Sequence, residues 1–128
     1  GGTVTKGEPA MEWTSSAVGY IGWDQSNGKG VQFGTSKNPV NGTYTLSTTA
    51  YSGKIAKIVI NASVAKGGDG KLTVKVGGTQ MGEITTLVLN ATDYTFTPSS
   101  PVSGNITIEL TNTVKAMYLK SIAINPAE

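Results

Sequence analysis

Cysteine, histidine and arginine are all missing from this chain of 128 residues. Without Cys or His there is no disulfide, thiolate nucleophile, Ser-His-Asp or Cys-His arrangement, imidazole base or ordinary zinc site. Without Arg the chain lacks the side chain best suited to bidentate grip on phosphates, carboxylates and guanine edges. Charge of either sign is sparse at 14% of residues, and aromatics make up 7%. The formal net charge is +2, and the ten basic residues, all Lys, are scattered from Lys6 to Lys120. Nucleic acid binding needs a concentrated positive stripe, so no nucleic acid partner is expected. No apolar run approaches the roughly 18 residues of a membrane-spanning helix, so no membrane insertion is expected either.

What is present is Thr, Ser, 17 Gly and short bursts of β-branched residues, the composition of a β-sheet protein. Residues 1–10 read as an extended lead-in ended by Pro9, and residues 11–128 as one domain. Strands are expected at Met11–Thr14, Ala17–Trp23, Val31–Phe33 and Thr43–Thr48, with polar loops at 24–30 and 34–42. Clean alternation follows. Ala56, Ile58, Ile60 and Ala62 share one face, as do Leu72, Val74 and Val76, then Ile106, Ile108 and Leu110. Further strands are expected at Ile84–Asn90 and Asp93–Thr97. In Ala116–Asn125 the apolar positions shift from Met117 and Leu119 to Ile122 and Ile124, which predicts a bulge near Lys120–Ser121. Eight to ten short strands with frequent turns predict an all-β fold, a single antiparallel β-sandwich of jelly-roll-like form.

Several strings occur together in order: G-V-Q-F-G-T-S-K-N-P at Gly30–Pro39, L-S-T at Leu46–Thr48 and I-x-x-I-V-I-N-A-S at Ile55–Ser63. They continue with V-x-V-G-G-T at Val74–Thr79, Y-T-F-T at Tyr94–Thr97 and K-A-M-Y-L-K-S-I-A-I-N at Lys115–Asn125. On these strings the chain resembles a jelly-roll-like sandwich module appended to larger surface or secreted proteins of gut Firmicutes, Bacteroidetes and mycoplasma-like bacteria. The resemblance implies a secreted or cell-surface location within a multidomain protein, and it carries no catalytic motif. By analogy with similar architectures, it points to a carbohydrate-binding module.

The carboxylates offer little to catalysis. Asp69 sits in a glycine turn and Glu109 alternates outward between Ile108 and Leu110, so neither is set to face a second carboxylate as glycosidases require. No enzyme is expected. The two Trp carry more. Trp13 and Trp23 fall with Tyr20 outside the regular core strands, and Trp23 is followed at once by Asp24, Gln25, Asn27 and Lys29. Indole stacks on the C–H face of a sugar ring while amides and carboxylates bond its hydroxyls. The candidate ligand-binding set is therefore Trp23, Trp13, Tyr20, Asp24, Gln25, Asn27 and Lys29, with a core-plug role as the alternative for either Trp. Tyr94 and Tyr118 are read as structural.

No cofactor is expected. The Asp24–Gly28 and Gly67–Gly70 segments read as turns, with a structural calcium as the alternative. The leading expectation is a monomeric, non-catalytic module whose partner is a polysaccharide or other glycan. The other is a structural spacer or protein-adhesion module without a glycan site.

Overall fold

The structure, a computed structural model, describes residues 2–5, 12–16, 21–24, 30–35, 37, 42–48 and 53–126, with side chains from residue 30 onward. Among the described residues eleven strands run in order: β1 (Gly2–Thr5), β2 (Glu12–Ser16), β3 (Ile21–Asp24), β4 (Gly30–Phe33), β5 (Gly42–Thr48), β6 (Ile55–Val64), β7 (Gly70–Val76), β8 (Thr79–Thr86), β9 (Thr92–Phe96), β10 (Ile106–Asn112) and β11 (Met117–Pro126). They form a six-stranded sheet, β1-β2-β5-β10-β7-β8, and a five-stranded sheet, β3-β4-β11-β6-β9. Every recorded pairing between strands is antiparallel. The all-β sandwich expected from the alternation is the fold observed.

Alternation decides which face each strand buries. Along β10, Ile106, Ile108 and Leu110 are fully buried, and their cross-strand partners Leu46, Tyr44, Leu72 and Val74 lie on the same face. Ile58, Ile60, Phe96, Met117 and Ile122 come from the opposing sheet. Each large apolar side chain so buried stabilises by roughly 1.5–3 kcal/mol. Phe33 of β4 meets Tyr44 of β5 edge-on, with ring centroids 5.1 Å apart and planes at 61°, and so joins the two sheets.

The bulge in β11 stands where the apolar shift predicts it, as a register break between Leu119 and Ser121 against β6. Gly30 opens β4 at φ +95, and a side chain there would run into the Leu119 carbonyl and Lys120. Only glycine suits that close approach.

Two segments differ from expectation. Thr79–Thr86 forms β8 directly after the turn at Gly77 and Gly78, both at positive φ (60 and 82), which suits a tight two-residue hairpin. The expected strand at Ile84–Asn90 stops at Thr86. β8 ends the sheet order and exposes most of its residues, and a register break beside Gly82 interrupts its alternation. Gly2–Thr5, inside the expected lead-in, pairs with β2 as the outermost strand.

Candidate functional site

The sequence-predicted aromatic cluster divides between the sheets. Trp23 and Asp24 close β3, the outermost strand of the five-stranded sheet, with Trp23 opposite Val31 and Asp24 opposite Gly30. Trp13 lies on β2 of the six-stranded sheet, opposite Val4. Tyr20, Gln25, Asn27 and Lys29 lie outside the described residues. β8 and β9 touch and each ends its sheet, and β1 and β3 are the outermost strands at the opposite ends of the two sheet orders. Directly opposed residues in an antiparallel pair share a face, and alternate residues along a strand share one too. Trp23, opposite the buried Val31, therefore holds a core-side register position. Trp13, two residues from Ser15 opposite buried Leu46, does likewise. Asp24 takes the outward position beside Trp23.

The described side chains form a second feature. On the outward face of the six-stranded sheet, Thr43, Thr111, Lys71 and Thr86 stand in register across four neighbouring strands, β5, β10, β7 and β8. Together with Asp69 and Thr113 at the strand ends they line an open cleft of about 440 Å³, within the size range of small-ligand sites. Alternation puts these residues outward, and Asp69 and Thr113, just beyond the ends of β7 and β10, flank the row.

Asp69 fastens those two turns together. Its Oδ1 accepts the N–H groups of Thr113 and Val114, both at 2.9 Å, and its Oδ2 accepts the Thr113 hydroxyl at 2.5 Å. Those bonds favour the ionised form and hold the carboxyl down at about 2, with the Thr113 hydroxyl contributing most. Asn112 supports the same turn from below. Its Nδ2 donates to the carbonyls of Val114 (3.2 Å) and Lys115 (2.8 Å), while Lys115 sits at φ 67.

Two further acidic groups have local partners. Glu109 pairs with Lys75 at 3.3 Å across the sheet, and Asp93 Oδ1 accepts from Asn61 Nδ2 at 2.9 Å. Among the described residues no group of three or more acidic side chains could hold a metal ion. The Gly67–Gly70 segment spends its one carboxylate on the turn contact. Tyr94 receives the Val88 N–H at 3.1 Å and Tyr118 is buried, in line with structural roles. The sequence reading missed the cleft. Its only sequence signal is the outward alternation of Thr43, Lys71 and Thr111, and pairing register alone aligns them.

Neither a protein-family model nor any curated protein matches the chain. Solved structures do share its fold. A family-61 carbohydrate-binding module in complex with β-1,4-galactotriose superposes with a TM-score of 0.60 at 13% identity, covering 96% of this chain and 92% of that one. A family-6 module from Clostridium stercorarium in complex with cellobiose gives 0.54 at 13% identity, over 89% and 87%. A family-36 module in complex with calcium and xylotriose gives 0.52 at 17% identity, over 88% and 99%. The chain therefore has the β-sandwich fold of carbohydrate-binding modules.

Proposed function

We propose that this domain is a non-catalytic carbohydrate-binding module of a bacterial secreted or cell-surface protein, one part of a larger chain and monomeric. The observation that carries the reading is near full-length likeness to three modules, each solved with a short oligosaccharide. In this reading Trp23 supplies the stacking surface. Asp24, Gln25, Asn27 and Lys29 bond the sugar hydroxyls, and Tyr20 or Trp13 forms the flanking wall. A site with one or two stacked rings binds weakly, at micromolar to millimolar Kd. A glycan-array screen with Trp23→Ala alongside tests it: the mutant should lose the hits that the native domain gives. A calcium arm and a chelator arm show whether binding needs the ion.

The second reading, a spacer or protein-adhesion module, draws on the core-side register of Trp13 and Trp23. Indoles spent on packing leave no platform. Strong quenching of both indoles by a soluble quencher supports the glycan site, and full shielding supports the spacer.

A further inference from the structure

We infer that the cleft on the six-stranded sheet is a separate, aromatic-free subsite for an acidic sugar, one whose ring carries a carboxylate. The inference rests on the glycan-binding reading and deepens it. Among the described residues the hydroxyls of Thr43, Thr86 and Thr111 and the ammonium of Lys71 make no hydrogen bond or ion pair, although all four line one cavity. Four residues further along β7, Lys75 is neutralised by Glu109. The ammonium facing the cleft has no such partner.

The surrounding charge has the same sign. Lys66 lies in the β6–β7 turn, and Lys115 packs against the Gly67–Gly68 part of it. Among the described residues the one carboxylate lining the cleft, that of Asp69, is turned to the Thr113 and Val114 amides and the Thr113 hydroxyl. Three lysines against one committed acid leave a positive field at this end of the sandwich.

Hydroxyls both donate and accept, so a row of threonines can exchange hydrogen bonds with ring hydroxyls while Lys71 takes the carboxylate. Strands lie about 4.8 Å apart, so the row of four residues spans roughly 14 Å, enough to follow a sugar chain laid across the strands. Among the described residues no aromatic side chain lines the cleft. Binding there is electrostatic and hydrogen-bonded, and it weakens with salt.

The test is an NMR titration, read at backbone amides, with tri-galacturonic acid and with neutral galactotriose. It compares the native domain with Lys71→Gln, Thr111→Val, Trp23→Ala and a distant control, Lys57→Gln. Tri-galacturonic acid should shift the amides of Lys71, Thr86, Thr111 and Thr113. Lys71→Gln should weaken that binding about tenfold or more, and Thr111→Val a few-fold. About 0.5 M salt should weaken it several-fold, while Lys57→Gln leaves it unchanged. Equal response of the cleft to both trimers overturns the acidic specificity. Response confined to β3 and β4, untouched by Lys71→Gln, overturns the subsite but leaves the general glycan reading standing. Silence toward both trimers throughout the domain overturns both. A cleft response without any Trp23-dependent binding upholds the subsite and removes the aromatic platform.

Discussion

The β3–β4 hairpin and the polar cleft are built on opposite principles. The hairpin concentrates a tryptophan and, in sequence, a run of amides and charges within seven residues, 23–29. Its register partners are Val31, a core residue, and Gly30, a glycine forced by close approach to β11. The cleft takes single residues from four strands and holds its wall with contacts between Asp69 and Thr113, 44 positions apart. A local cluster gains its chemistry from neighbours in sequence and its placement from one edge strand. A dispersed row gains both from the sheet. Damage to one edge should therefore silence the hairpin alone, whereas the row should resist single changes that leave the sheet intact.

The largest effect should come from the residue that serves both regions. Phe33→Ala removes a fully buried ring on β4 that packs against Tyr44, next to Thr43 of the cleft. We expect a loss of about 3–5 kcal/mol in denaturant unfolding, with both regions perturbed. Gly30→Ala should separate them. A residue with a side chain at φ +95, pressed against the Leu119 carbonyl, costs roughly 1–3 kcal/mol. Its amide shifts should stay within β3, β4 and β11 while the cleft amides hold their positions.

Asp69→Asn should act on the other side of the comparison. It weakens the acceptor for two amides and a hydroxyl, and because the group is exposed the cost should be about 1 kcal/mol or less. The carboxyl lies at about 2 in the folded protein, below its unfolded value near 3.9. Its contribution is therefore complete above about pH 4 and is lost as pH falls from there through about 2. Thermal unfolding from pH 7 to pH 2 should show the native domain and Asp69→Asn converging across that window. The smallest effect belongs to Thr111→Val, whose outward hydroxyl has no partner among the described residues. Its stability change should stay within about 0.5 kcal/mol.

Much of the sandwich could be read from alternation, because strands flanked on both sides in a sheet bury every second residue. β7 and β10 show this, and the shift from odd to even apolar positions marked the β11 bulge. β8 escaped for a physical reason: an outermost strand with one fully buried side chain, Met81, and an irregularity beside Gly82 carries almost no periodic signal. Trp23 and its polar followers were visible as a string, but its opposition to Val31 was not. Nor was the assignment of Trp13 to the other sheet, since pairing partners are set by tertiary contacts. The cleft was invisible for the same reason. Thr43, Lys71, Thr86 and Thr111 look like any outward strand residues until register lines them up.

The most direct test of the glycan-binding account is calorimetry of the native domain and Trp23→Ala against galactotriose, xylotriose and cellobiose, with calcium and with chelator. The account predicts micromolar to millimolar binding of at least one trimer or dimer, weakened about tenfold or more in the mutant. Unchanged binding in Trp23→Ala would contradict the platform. No binding of any of the three in either buffer would contradict carbohydrate recognition at the hairpin and favour the spacer.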